Sequence, residues 1–171
     1  MSYIDNARVF LREIGKDLDN IFGKGSVYYY RRVVEDYNLT HNTYYSVANG
    51  AVRAVIIGED FVIKTDYSKC CAEKFGGCFD EYKMYKFAEA NGYAHLLAKV
   101  TKIKGGHHYY YVMPRMDYLG EDVEEELNDY FREDEMDWIN DNITDLHDAN
   151  YGFLDGEAYI IDYACSRNKI S

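Results

Sequence analysis

Residues 143–153 of this chain read Ile-Thr-Asp-Leu-His-Asp-Ala-Asn-Tyr-Gly-Phe, and residues 159–164 read Tyr-Ile-Ile-Asp-Tyr-Ala. Between them lies Asp155-Gly156, a pair typical of a tight β-hairpin turn. The pattern therefore predicts a hairpin with an Asp and an Asn, five residues apart, before its first strand. A second Asp follows the apolar second strand. Acidic and amide side chains at such positions serve either as ordinary loop caps or as ligands for a cation.

This arrangement resembles the catalytic loop and the metal-binding aspartate of the protein-kinase-like superfamily. It is most similar to aminoglycoside-phosphotransferase-like and bacteriophage kinase-like proteins. The resemblance implies ATP and Mg²⁺ as cofactors, with Asp145 beside the acceptor hydroxyl and with Asn150 and Asp162 holding the metal on the phosphates. Phosphoryl transfer depends mainly on positioning and on charge neutralisation, and Mg²⁺ prefers oxygen ligands, so these residue types suit that chemistry.

The resemblance also predicts a lysine at the end of a third strand and a glutamate that pairs with it. Phe-Val-Ile-Lys at 61–64 fits, with Lys64 contacting the nucleotide phosphates. Glu81, near the start of a helix predicted over 79–90, is the preferred partner. Glu73, in the preceding loop, is the weaker candidate. Glu81 and Lys64 thus join Asp145 as the expected catalytic residues.

The nucleotide itself should contact two further segments. A phosphate-covering turn is expected over 46–51, where Gly50 is the one glycine. A hinge is expected after the fifth strand, at the chain's only proline, with Met113, Arg115 and Met116 next to the adenine ring. Met113 would limit the back of the pocket.

The remaining pattern predicts an α+β fold with a five-stranded antiparallel sheet, one main helix and a reduced, mostly helical C-terminal part carrying the hairpin. Periodic apolar residues predict a helix over 4–22, whereas 27–37 fits a strand or a helix, with a loop over 38–42. Strands are expected over 44–47, 52–57, 61–65, 98–103 and 108–113, and helices over 121–131 and 134–142. The predicted segments are an N-terminal helical extension (1–43), a kinase-like lobe (44–115) and a reduced C-terminal lobe (116–171).

The sequence departs from the family pattern in several places. Ile143 replaces the expected histidine, no arginine precedes Asp145, and Tyr163-Ala164 replaces Phe-Gly. The sequence ends nine residues after Asp162, which leaves no room for an activation segment. Two short helices must therefore brace the catalytic loop, with Leu127 and Trp138 in their core. His147 is expected to support the loop structurally.

Charge is distributed unevenly along the chain. The formal net charge is −11, and residues 116–171 contribute 17 Asp and Glu against 3 Lys and Arg. Such an acidic region disfavours nucleic acid as a partner and favours cations or a basic protein. No apolar run is long enough to cross a membrane, and the N-terminus lacks the features of a signal peptide, so a cytoplasmic protein is expected.

Three interpretations remain open at this point. The first is an ATP- and Mg²⁺-dependent phosphotransferase acting on a hydroxyl, expected to be on a protein. The second is a catalytically degenerate, pseudokinase-like interaction protein, such as a phage-encoded modulator of a host protein in the host cytoplasm. The third is a plain α+β domain whose matches to the family are due to chance.

Overall fold

The computed structural model describes residues 1–50, 52–69, 72–73, 77–118, 127 and 129–164 of the 171-residue chain. In these ranges it contains four α-helices, eight β-strands and two short 3₁₀ turns, so the predicted α+β class is confirmed. The chain forms two compact units, one from residues 1–78 and 100–115 and the other from 79–99 and 116–171. Each helix in the described ranges is too short or too polar to span a membrane.

A five-stranded antiparallel sheet forms the centre of the first unit, as predicted. The order across the sheet is β1-β2-β3-β5-β4, so β3 is the middle strand and β1 and β4 are its edges. Valine, isoleucine, tyrosine and phenylalanine, which favour strands, dominate β2, β3 and β5. The strands are β1 (Ser46–Asn49), β2 (Arg53–Ile57), β3 (Phe61–Asp66), β4 (Thr101–Gly105) and β5 (His108–Pro114).

Two helices pack on one face of this sheet. Helix α1 spans Tyr3–Ile21 and begins with a capping box between Ser2 and Asp5, and helix α2 spans Val27–His41. The apolar stripes of both helices are buried against the sheet because burial removes their apolar surface from water. Their shared core contains Phe10, Leu11, Ile14, Leu18, Tyr30, Val34, Tyr37, Ala54, Ile56, Phe61, Ile63, Ile103, Tyr110 and Val112.

The second unit contains helix α3 (Cys78–Asn91), helix α4 (Glu133–Asn142) and a three-stranded antiparallel sheet. The first residue of α3, Cys78, is counted with the first unit. The sheet order is β6-β7-β8. The β7–β8 hairpin turns at Asp155 and Gly156, whose φ angles of 53° and 92° are those that a tight two-residue hairpin turn requires. The strands of this sheet are β6 (Asp117–Tyr118), β7 (Tyr151–Leu154) and β8 (Glu157–Ile160).

The start of the sheet differs from the sequence prediction. The predicted loop over 38–42 is wrong, because α2 continues to His41 and ends at Asn42 in the left-handed conformation that asparagine tolerates. Strand β1 begins two residues later than predicted. The side chain of Asn38 bonds both the N–H and the C=O of Tyr45, so these groups are engaged outside the β1–β2 ladder.

Further along the chain, one more expectation is wrong. The strand predicted over 98–103 starts only at Thr101, because the N–H of Ala98 donates to the carbonyl of Ile160 instead of joining the first sheet. The helix predicted over 121–131 falls largely outside the described residues, although Leu127 is buried as expected.

The compact units also divide the chain differently from the predicted segments. Residues 1–43 cluster with the five-stranded sheet instead of standing apart as an extension. Helix α3 clusters with the C-terminal residues, even though it lies between β3 and β4 in the sequence. Only the boundary after Arg115 coincides with a predicted one.

Candidate functional site

Asn150 is the structural centre of the predicted catalytic loop. It is 5% exposed and closes the 3₁₀ turn Asp148–Asn150, where its N–H donates to the carbonyl of His147 at 2.7 Å. Its side-chain Nδ2 donates to the carbonyl of Asp145 at 2.5 Å. A buried amide needs partners for its polar atoms, so this bond fixes the five-residue loop between the two side chains.

A backbone bond joins this loop to the far end of the hairpin. The N–H of Ile161 donates to the carbonyl of Asn150 at 2.8 Å, immediately before Asp162. The hairpin ladder supports the same geometry, since Tyr151 is paired with Ile160. Residues twelve positions apart in the sequence, Asn150 and Asp162, are therefore brought to the same end of the hairpin, as the sequence predicts.

Tyr163 anchors the strand end that carries Asp162. It is 1% exposed, and its hydroxyl donates to the carbonyl of Ala98 at 2.5 Å. The N–H of Ala98 in turn donates to Ile160 at 2.8 Å, and Leu97 forms a parallel bridge with Ile160. The segment 97–98 thus holds the hairpin from the side. No local pattern in the sequence indicates this anchor, because Ala98 and Tyr163 lie 65 residues apart.

Glu81 of helix α3 belongs to the same unit and contacts the backbone of Tyr163. It is completely buried, and its Oε1 accepts the N–H of Tyr163 at 3.4 Å. A buried carboxylate is costly unless it is paired or hydrogen-bonded, and the Tyr163 N–H meets part of that requirement. The weaker candidate, Glu73, instead forms an exposed ion pair with Lys69 at 3.6 Å.

The other side chains of the loop differ in exposure. Asp145 is exposed, and its carboxylate has no partner among the described residues. The expectation that the His147 side chain supports the loop is wrong, because that side chain is exposed and only its carbonyl takes part. Asp148, by contrast, is partly buried.

The base of the hairpin carries side-chain oxygen atoms of the kind that Mg²⁺ takes as ligands. Because the Nδ2 of Asn150 faces a carbonyl, its Oδ1 is the atom left to accept a ligand, and Asp162 adds a carboxylate. Mg²⁺ typically takes one or two carboxylates and completes its shell with water and phosphate oxygens. No group of three or more His, Cys, Asp or Glu residues within the described ranges could form a metal site by itself.

In the first unit, Lys64 lies on the middle strand of the sheet. It pairs with Val55 of β2 and Tyr111 of β5, and it is only 6% exposed. Its neighbour Ile63 belongs to the core shared with α1 and α2, so by strand alternation Lys64 points to the opposite face. An ammonium in such apolar surroundings requires a negatively charged partner.

Met113 lies on the same face of the sheet as Lys64. It pairs with Val62, two residues before Lys64, and is 2% exposed. Gly50 closes the β1–β2 turn by donating to the carbonyl of Arg53 at 3.0 Å. A Cβ at position 50 would lie 3.1 Å from that carbonyl oxygen, so a glycine is favoured there. Most of the predicted phosphate-covering segment, however, is strand β1, and Ala51 lies outside the described residues.

The segment expected to be a hinge is engaged differently from the prediction. The N–H of Arg115 donates to the carbonyl of Asp60 at 2.9 Å, and its guanidinium donates to the carbonyl of Gly58 at 3.0 Å. Arg115 therefore holds the β2–β3 turn. Pro114 has no N–H, so the next backbone donor after Arg115 in this segment is that of Met116.

Comparison with known proteins adds no family. No protein-family model matches the chain, and no curated protein is similar to it. Function must therefore be inferred from the residues themselves. The second unit brings together Glu81, Asp145, Asn150 and Asp162, whereas the first unit brings together Lys64 and Met113.

Proposed function

We propose that this chain is an ATP- and Mg²⁺-dependent phosphotransferase of the protein-kinase-like superfamily, which transfers the γ-phosphate to a hydroxyl on a protein. The observation that carries the proposal is the pair of bonds from Asn150 to Asp145 and from Ile161 to Asn150. These bonds fix a loop with the exposed carboxylate of Asp145 at one end and the side chains of Asn150 and Asp162 at the other. Positioned oxygens of this kind are what phosphoryl transfer requires.

The order of elements around these residues also supports the proposal. Lys64 lies on the third strand of a five-stranded antiparallel sheet, and a helix with a buried glutamate follows before the last two strands. The loop, the hairpin and Asp162 then follow in the order of the resemblance. The proposal assigns Lys64 to the phosphates, Asn150 and Asp162 to Mg²⁺, and Asp145 to the acceptor hydroxyl.

A titration of the purified protein with ATP, with and without Mg²⁺, tests the binding part by calorimetry. We expect Mg²⁺-dependent binding that is lost in Lys64→Met and in Asp162→Asn. The matched control is Asp155→Asn, the same chemical change at the exposed turn of the same hairpin, which should bind normally. If the folded wild-type protein does not bind ATP, the proposal is wrong.

Transfer is tested separately with γ-labelled ATP and a basic acceptor protein such as histone. The acidic region should favour a basic acceptor by electrostatic steering. Asp145→Asn should retain ATP binding and lose activity by about 10²–10⁴-fold, the usual contribution of a positioned acid–base group. Unchanged transfer in this variant would remove Asp145 from its assigned role.

A specific observation favours a second candidate, a catalytically degenerate, pseudokinase-like interaction protein. Arg115, expected at the adenine ring, is committed to the β2–β3 turn by both its N–H and its side chain. The loop also lacks the family's histidine and arginine before Asp145. ATP binding without transfer to basic, neutral or acidic acceptors would favour this candidate over the enzyme.

A further inference from the structure

A groove between helix α1 and strand β4 concentrates positive charge on this acidic protein. It has a volume of about 370 Å³, with buried Leu11 and Ile103 among its apolar lining. The cations at the groove come from one side of α1 and from β4. They are Arg8, Arg12, Lys16 and Lys104.

These cations are little neutralised by the protein itself. Arg12, Lys16 and Lys104 are exposed and have no carboxylate partner among the described residues. Arg8 forms one exposed ion pair with Asp5 at 3.4 Å, a kind of pair that contributes little. The nearby carboxylate of Asp19 accepts the N–H of His107 and the Tyr110 hydroxyl and forms no ion pair with these four cations. In a chain of net charge −11, such a surface attracts an anionic ligand.

The second feature of the groove is a strand edge. Strand β4 is the last strand of the sheet, and it pairs only with β5 among the described residues. The β4–β5 hairpin has a two-residue turn at Gly106 and His107, so Gly105 and His108 form a hydrogen-bonded pair. Hydrogen-bonded and non-hydrogen-bonded pairs alternate along an antiparallel ladder, so the next pair, Lys104 with Tyr109, is not hydrogen-bonded. The N–H and C=O of Lys104 therefore point away from β5. An outward-facing backbone of this kind is a template for another strand.

The spacing of the cations matches an extended chain. Arg8, Arg12 and Lys16 are four residues apart on a helix, which places them about 6 Å apart along its axis. Side chains on one face of an extended peptide repeat at about 6.6–6.8 Å. A peptide added to the edge of β4 could therefore present one carboxylate to each cation. A nucleic acid would neutralise the cations but could not reproduce the backbone pairing.

We propose that this groove binds an extended acidic segment of a partner protein, which adds a strand to the edge of β4 and pairs its carboxylates with Arg8, Arg12 and Lys16. Backbone bonds to the edge supply affinity in this mode of recognition, and alternate side chains supply specificity. The inference is independent of the nucleotide, because every residue involved lies in the first unit and outside the proposed catalytic residues.

The probe is a fluorescein-labelled heptapeptide, Thr-Glu-Val-Glu-Thr-Glu-Val, whose binding to the full chain is followed by anisotropy at low salt. The reversal Arg12→Glu with Lys16→Glu should weaken binding at least about tenfold, since like charges now face each other. The matched control, Lys24→Glu with Arg32→Glu, makes the same charge change at exposed positions outside the groove. Equal loss in both double variants would show general electrostatics and overturn the proposal.

Two further comparisons test the strand edge. The peptide Pro-Glu-Pro-Glu-Pro-Glu-Pro carries the same charge but lacks alternate N–H groups, so it should bind at least about tenfold more weakly. Lys104→Pro should weaken binding more than Lys104→Ser, because proline removes the outward N–H as well as the charge, without breaking the ladder to β5. Circular dichroism and thermal melting establish that each variant is folded.

Amide exchange gives a readout that does not depend on affinity. The Lys104 amide should exchange more slowly when the peptide is bound. The proposal is overturned if the heptapeptide does not bind, if the proline peptide binds equally well, or if the Lys104 amide is unaffected. Equal binding of a single-stranded RNA of the same charge would likewise overturn it in favour of a general polyanion surface.

Discussion

At the scale of single residues, the buried side chain of Asn150 stabilises the loop, whereas the exposed side chain of Asp145 is proposed to act in transfer. Replacing Asn150 with Asp removes the Nδ2 donor and places a carboxylate oxygen against the carbonyl of Asp145. Because the site is buried, we expect the free energy of unfolding to fall by about 1–3 kcal/mol. Urea unfolding followed by circular dichroism measures this change.

The control for this prediction is Asp145→Asn. The carbonyl that Asn150 contacts is unchanged in that variant, and the altered side chain is exposed, so stability should stay within about 0.5 kcal/mol of wild type. If both variants unfold at the same urea concentration as wild type, the bond between Asn150 and Asp145 does not hold the loop.

Tyr163 carries a second prediction at this scale. Tyr163→Phe keeps the ring but removes the hydroxyl, which leaves the buried carbonyl of Ala98 without that donor. We expect a loss of about 1–3 kcal/mol, with a lowering of the melting temperature of about 2–4 °C for each kcal/mol. Tyr159→Phe, at a half-buried tyrosine of the same hairpin, should melt within about 1–2 °C of wild type. A Tyr163→Phe protein that melts like wild type would contradict the anchor.

At the scale of secondary-structure elements, the sequence predicts the parts that local patterns determine. Short runs rich in valine, isoleucine, phenylalanine and tyrosine predict β2, β3 and β5, and Asp155-Gly156 predicts the β7–β8 hairpin. The start of β1 is not predictable in this way, because it depends on Asn38, seven residues before Tyr45, bonding that residue's backbone. The same limit applies to Ala98, whose partners Ile160 and Tyr163 lie more than sixty residues away.

In the candidate site, too, local features are predictable and long-range contacts are not. The sequence predicts that Asn150, five residues after Asp145, lies near Asp162, because a hairpin places its two ends together. It does not predict that Arg115 turns back to Gly58 and Asp60, since this depends on the packing of β5 beside β3. The local hairpin pattern thus predicts that Asn150 and Asp162 lie close together, whereas the long-range bonds of Arg115 determine which of its groups can still bind a ligand.

Helix α4 supports a prediction about pH. Glu135, at its first turn, accepts from His95 at 2.7 Å and from the Arg132 N–H at 2.8 Å, and its side chain is 9% exposed. Burial raises the pKa of Glu135, but the bonds from His95 and from Arg132 outweigh burial and hold this pKa below its ordinary value of 4.5. A lowered pKa in the folded state means that the carboxylate stabilises the protein above pH 4.5 and that this stabilisation is lost as pH falls through the folded-state pKa.

The test compares Glu135→Gln with wild type by urea unfolding from pH 7 to pH 3. At pH 7 the variant should be less stable by about 1–3 kcal/mol, because a charged hydrogen-bond acceptor is lost from a buried position. The difference should shrink as pH falls below 4.5. Glu133→Gln, at an exposed position of the same helix turn, should show a much smaller difference at every pH. A difference for Glu135→Gln that does not change with pH would contradict the assignment.

At the scale of the whole molecule, the dominant feature is an excess of negative charge. Thirty Asp and Glu oppose 19 Lys and Arg, and the excess lies in residues 116–171. Exposed like charges repel one another, which destabilises a compact state. Because salt shortens the screening length from about 10 Å at 0.1 M to about 3 Å at 1 M, NaCl should weaken this repulsion. We therefore expect the melting temperature to rise with NaCl, by about 2–4 °C for each kcal/mol recovered.

Variants on the exposed face of α4 identify the source of the effect. Asp137→Asn with Asp141→Asn removes two exposed negative charges, so the rise in melting temperature with salt should become smaller. Asn140→Asp adds one charge to the same face, so the rise should become larger. The same ordering should hold for KCl, since screening depends on ionic strength and not on the identity of the cation. A melting temperature that falls with salt would show that attractive ion pairs, such as that of Lys86 with Glu89, outweigh the repulsion.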